Sequence, residues 1–150
     1  MKIYLKIVFI LFSCSALFAQ IPEQFEHNMS TLQAFYYPDL VTINGEPIDP
    51  DDWVGAFAPT GICIGAREWD TSQCGGGRCD IATYGDDGND FADGYIQDWQ
   101  IPTFKIYDIS ADRYYDADIT TSNLNDLKWF NLNFYTDLSL NATPSGCTDA

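Results

Sequence analysis

The chain has 150 residues and 22 acidic against 7 basic side chains, a formal net charge of −15. That length supports one domain with a core of ordinary size. So negative a chain is a poor match for nucleic acid, whose binding rests on cationic neutralisation of phosphates; its field suits divalent cations and neutral ligands.

The N-terminus reads as a secretory signal peptide over residues 1–19. Lys2 and Lys6 give a positive start, Ile7 to Phe12 an apolar run, and Ala16-Leu17-Phe18-Ala19 a small-residue exit before Gln20. The apolar run is too short to span a bilayer. Leu11-Phe12-Ser13-Cys14 loosely imitates a lipoprotein cleavage site, so lipidation at Cys14 stands as a minor alternative. No other segment is apolar enough to be expected to cross a membrane. Every acidic residue lies after Ala19, and Lys2 and Lys6 lie before it. Processing would leave 22 acidic and 5 basic residues, a net of −17. Solubility in a salty exterior explains such a surface as well as any specific ligand does.

Ile21 to Asn28 reads as a polar opening segment. Ser30 to Tyr37 is β-rich and reads as a first strand, interrupted at Pro38-Asp39. Leu40 to Ile43 is the next strand. Asn44-Gly45, a strong two-residue hairpin signal, turns it into Glu46-Pro47-Ile48. Asp52 to Phe57 and Cys63 to Trp69, joined by Ala58-Pro59-Thr60-Gly61, form a hairpin with a glycine in the middle of each strand. Its small and apolar residues mark it as the centre of the core. Thr71 to Asp80 is a loop, and Ile81 to Tyr84 a short strand. Gly85 to Gly94 is an acidic loop. Ile101 to Asp108 alternates apolar and polar and predicts a strand that turns at Ser110-Ala111-Asp112 into Arg113 to Ala117. Ser122 to Leu127 is a polar connection with room for one helical turn. Trp129 to Tyr135 and Leu138 to Ala142 read as the last strands. Short strands separated by Gly, Pro, Asn and Asp predict an all-β antiparallel β-sandwich, Ig-like or jelly-roll-like, over residues 20–142. Thr143 onward reads as a linker.

Two glycine-bearing loops carry what chemistry the sequence offers. In the first, Cys74 and Cys79 flank Gly75-Gly76-Gly77-Arg78. In an exported protein that spacing predicts a disulfide; zinc would need two more soft ligands from His27, Cys63 and Cys147. Cys63 reads as a buried thiol within its strand. In the second, Asp86, Asp87, Asn89, Asp90 and Asp93 place four carboxylates and one amide within eight positions. Calcium takes six to eight oxygens from such loops, and these five residues are the expected calcium ligands. Asp87, Asn89 and Asp93 fit an EF-hand frame at positions 1, 3 and 7, but Phe91 occupies position 5 and no closing Glu follows, Asp98 being nearest. The site is therefore expected to be irregular. The plain alternative is a solvated turn whose Asp and Asn side chains cap their own backbone.

The one histidine, His27, sits in the opening segment, and Cys63 has no evident base, so Ser/His/Asp and Cys/His catalysis are not expected. Asp pairs for glycoside hydrolysis are the residual enzymatic reading, opposed by the small size. The aromatics are more suggestive. Trp69, Trp99 and Tyr95 are candidate ligand-binding residues, able to stack on sugar rings beside carboxylates; the alternative is that they fill the interior, as Trp53 and Trp129 are expected to do. Asn28-Met29-Ser30 and Asn141-Ala142-Thr143 match glycosylation sequons by pattern only.

Taken together, the Asp52–Phe57 and Cys63–Ala66 pair, Tyr84-Gly85-Asp86-Asp87-Gly88 with Phe91, Asp93, Gly94 and Tyr95, and Thr103 to Asp108 resemble a recurrent extracellular β-module. Such modules belong to large secreted or surface proteins of Gram-negative bacteria, often exported by the type IX system. The resemblance covers roughly Asn44 to Ala117, and Ser145 to Ala150 resembles the start of a Cys- and Asp-rich repeat. It implies a secreted or cell-surface accessory module for adhesion or carbohydrate binding, with glycans or other surface proteins as partners. A structural spacer in a multidomain surface protein is the alternative. The Cys74–Cys79 insertion departs from the plainer version of the module.

Overall fold

The computed structural model describes residues 20–144. The expected signal peptide, Cys14, Cys147 and the repeat-like end lie outside the described residues. Ten strands are seen among those residues: β1 (Gln33–Tyr36), β2 (Val41–Ile43), β3 (Glu46–Pro47), β4 (Trp53–Phe57), β5 (Cys63–Glu68), β6 (Ile81–Tyr84), β7 (Thr103–Asp108), β8 (Arg113–Thr120), β9 (Phe134–Tyr135) and β10 (Ser139–Ala142). They form a three-stranded sheet, β6-β1-β9, packed on a seven-stranded sheet, β3-β2-β10-β8-β7-β4-β5. The expected all-β sandwich is present. No helix among the described residues is long and apolar enough to cross a membrane.

Local chemistry accounts for most of these elements. Asn44 and Gly45 both have positive φ (53° and 81°), so the β2–β3 turn has the backbone that this pair favours. Alternation along β7 sends Phe104 and Ile106 into the core. The two mid-strand glycines of the β4–β5 hairpin are explained by close approach. A Cβ on Gly65 would lie 1.9 Å from the Ala82 carbonyl oxygen of β6, and one on Gly55 would lie 2.6 Å from the Phe25 ring. The two sheets touch backbone to backbone at Gly65, which only glycine allows.

Three expectations need correction. The β4–β5 hairpin is not one of them: it lies at one edge of the large sheet, but β4 is buried throughout and Val54, Ala56 and Ile64 belong to the main core. The sandwich is not wholly antiparallel, because β9 joins β1 and β10 joins β2 in parallel. Of Trp129 to Tyr135 only Phe134–Tyr135 is strand. Leu132 takes a positive φ of 62°, and Asn133 N–H donates to Phe130 O at 3.2 Å, so the chain turns there. Meanwhile the Trp129 indole is drawn inward and donates to Thr83 Oγ1 at 2.9 Å. Finally, the opening segment expected to be polar carries a buried anchor. A short turn at Glu23–Phe25 buries Phe25 completely, against Trp53, Phe57 and Cys63.

Candidate functional site

Strand β6 connects the two glycine-bearing loops. On one side Cys74 and Cys79 form the expected disulfide. Arg78, inside that clasp, donates to the carbonyls of Tyr37 (2.9 Å) and Thr136 (2.7 Å) and pairs with Asp39. Its guanidinium thus ties the loop to the end of β1 and to the β9–β10 connection. All three contacts are made by Nη2, while the buried Nε has no partner among the described residues.

On the other side, the acidic loop is rooted by Gly85. A Cβ there would sit 2.4 Å from the Trp129 ring, so the loop leaves the sheet directly over that indole. Ala92 and Ile96 are buried and hold the loop's far end. Between these anchors the side chains largely satisfy one another. Asp87 accepts from Thr31 N–H and Oγ1 (2.9 Å each) and from Asn89 N–H (3.2 Å) and Nδ2 (3.0 Å). The donors from Thr31, foremost its backbone N–H, hold the Asp87 carboxyl down at about 2. Asp86 accepts from Gly88 N–H at 3.0 Å and from Gln97 Nε2 at 3.4 Å. Asp86, Gly88, Asn89, Asp90 and Asp93 line one open surface cleft of about 350 Å³. Asp87 does not line it. Four of the five expected calcium ligands therefore share a cleft, while the fifth is engaged by Thr31, just before β1. Among the described residues no three His, Cys, Asp or Glu side chains come together closely enough to hold a metal ion.

The three aromatic candidates separate cleanly. Trp69 is 7 % exposed and Tyr95 is 5 % exposed, so neither offers a free ring face; as stacking residues both are corrected. Trp69 packs in the main core, and the Tyr95 hydroxyl accepts from Asn28 N–H at 2.7 Å and donates to Asn28 O at 3.2 Å. Trp99 is different: 69 % of its surface is open to solvent. Its φ is 72°, a left-handed backbone that a bulky side chain rarely adopts. The turn is held by Trp99 N–H donating to Trp129 O (3.1 Å) and Gln100 N–H to Gln97 O (3.2 Å). The indole is braced edge-on by Phe130, with centroids 4.6 Å apart and planes at 82°, and Lys128 Nζ lies 5.9 Å from its centroid. The Gln97–Asp86 hydrogen bond and the Gly85–Ile96 bridge join this turn to the acidic loop. An exposed indole therefore stands beside the carboxylates.

Sequence reasoning missed a second open cleft, of about 570 Å³. It lies between the opening segment and the acidic loop, and both His27 and Cys63 line it. The signal available was Phe25, a lone large aromatic whose burial draws His27 up to β5. No hydrogen bond joins His27 to Cys63 among the described residues. Burial pushes the Cys63 thiol up to about 11, and its S–H points to the Phe25 and Gly65 carbonyls. No family model, curated protein or solved structure matches the chain.

Proposed function

We propose that the chain is a secreted or cell-surface accessory module that binds neutral carbohydrate through Trp99. The observation that carries this reading is the Trp99 indole itself, exposed, braced by Phe130 and raised on a left-handed backbone. A rigid ring loses little conformational freedom when a sugar face stacks on it, and stacking is how aromatic residues meet the apolar face of a pyranose. Gln97, Gln100 and Lys128 border the same turn and can donate to or accept from sugar hydroxyls. The acidic surroundings favour neutral glycans over uronic or sialic acids. On a glycan array the protein is expected to bind neutral oligosaccharides, and Trp99→Ala is expected to abolish the signal while the variant's stability stays within about 0.5 kcal/mol of wild type. A silent array, with folded protein, leaves the role of a structural spacer.

Calcium enters this reading as a stabilising ion. Support comes from the shared cleft of Asp86, Asn89, Asp90 and Asp93, which no basic side chain lines. Binding there requires these oxygens to turn towards one another, at the cost of the Asp86 hydrogen bonds. Calcium added to metal-stripped protein is expected to raise the melting temperature by several degrees. An unchanged melt removes the ion from the proposal and leaves the Trp99 site standing.

A further inference from the structure

The second cleft has a donor–acceptor balance that restricts what it can hold. Its floor is closed: Cys63 and Tyr95 are buried, and their polar atoms are engaged with the Phe25, Gly65 and Asn28 backbone. One part of its lining is apolar, formed by Ile21, Ile62 and Phe91, all of which are largely open to solvent. The remaining lining residues are Glu26, His27, Asn28 and Asp93. The Glu26 and Asp93 carboxylates make no hydrogen bond or ion pair among the described residues, although Tyr95, Cys63 and Asn28 beside them do. His27 Nδ1 lies 2.8 Å from Phe25 O, so in the neutral ring that nitrogen carries the proton and Nε2 presents a lone pair. Asn28 Nδ2 donates to Phe91 O at 3.4 Å, which leaves Oδ1 free. Apart from the second Asn28 Nδ2 hydrogen, the unpaired side-chain atoms of this cleft are thus acceptors.

No lysine or arginine lines the cleft to neutralise it. Arg67, Arg78 and Lys105 are paired elsewhere, with Asp80, Asp39 and Asp116, and Lys128 lies over Trp99. A lining dominated by acceptors, with no basic side chain, beside exposed aliphatic and aromatic surface calls for a ligand that donates at one end and is apolar along its stem. Phe91, 49 % exposed, adds a ring face, which attracts a cation electrostatically. An anion or an acceptor-rich group would meet only like partners here.

We propose that this cleft captures a primary ammonium group on an apolar carbon stem, as presented by a lysine side chain of a partner protein. The stem lies against Ile62 and Phe91, and the ammonium is held by the Glu26 and Asp93 carboxylates. A four-carbon stem along apolar surface with its charge at a polar rim is how lysine side chains ordinarily settle. The ammonium's donors match the carboxylate acceptors, and the strong negative field of the whole protein speeds the encounter. This site is separate from the Trp99 site, and neither depends on the other.

The test is an NMR titration of the folded protein with Nα-acetyl-lysine methylamide, run beside Nα-acetyl-norleucine methylamide, which has the stem without the ammonium. The lysine derivative is expected to give saturable shifts of the Phe91, Tyr95 and Cys63 amides, and the norleucine derivative none. Glu26→Gln combined with Asp93→Asn, both at exposed positions, is expected to weaken the lysine response by about tenfold, equivalent to about 1.4 kcal/mol. Trp99→Ala leaves the response unchanged. Equal shifts with both probes, shifts elsewhere only, or no saturable response to lysine would overturn the proposal. So would full lysine binding by the folded double variant.

Discussion

The loops before and after β6 solve the same problem in opposite ways. Each is rich in glycine and must be held against the sandwich with no strand of its own, only short 3-10 turns. The loop before β6 is closed by a covalent bond and a cation: Cys74–Cys79 fixes its ends, and Arg78 reaches across to two carbonyls of another part of the chain. The loop after β6 has no cation. It is held by Gly85 seated on Trp129, by buried Ala92 and Ile96, and by Asp87 gathering donors from Thr31 and Asn89. The first loop commits its one cation to Tyr37, Thr136 and Asp39 outside it. The second leaves Asp90 and Asp93 facing solvent beside exposed Phe91, close to the turn that raises Trp99. Rigidity by clasp goes with a committed cation, and rigidity by self-capping goes with open acceptors, and the proposed Trp99 and calcium sites lie on the second side.

The comparison can be broken most forcefully at the root of the acidic loop. Gly85→Ala pushes a methyl into the Trp129 ring and is expected to cost about 1–3 kcal/mol by overpacking, read as a lower denaturant midpoint. A neutral effect would mean that the loop is not seated on that indole. The clasp comes next. Replacing both Cys74 and Cys79 with Ser is expected to cost about 2 kcal/mol, the chain-entropy value for so short a loop. In guanidinium the midpoint should fall with little change in slope, and the Trp99 site should be unaffected. The smallest effect sharpens the contrast. Asp87 has its folded pKa lowered to about 2 from the ordinary 3.8 by the Thr31 donors. Its contribution is present above the unfolded value and is lost as pH falls through the folded one. Asp87→Asn should therefore flatten the part of the acid-unfolding profile between those two values. An unaltered profile would show that Asp87 is not held as described.

Much of the fold is legible along the chain because its signals are local. Asn44-Gly45 dictates its own turn, alternation marks β7, and the Cys74–Cys79 spacing in an exported chain dictates the clasp. The missed features depend on distant partners. Phe25 is buried because Gly55, thirty positions on, leaves room for its ring. The parallel joins of β9 to β1 and β10 to β2 leave no local pattern. Trp69 and Trp99 look alike in sequence; one is drawn into the core beside the disulfide, and the other is turned outward by a positive φ. Calcium-like acidity in the loop was readable, but the donors that engage Asp87 come from Thr31, on the approach to another strand.

The central claim is that Trp99 is a preformed stacking surface for a neutral sugar. It is tested most directly by following the tryptophan indole N–H signals while titrating a neutral oligosaccharide that the array identifies. The Trp99 signal should shift and saturate while the signals of buried Trp129 and Trp69 stay in place. An oligosaccharide that binds without moving the Trp99 signal, or that binds Trp99→Ala as tightly as wild type, would contradict the account.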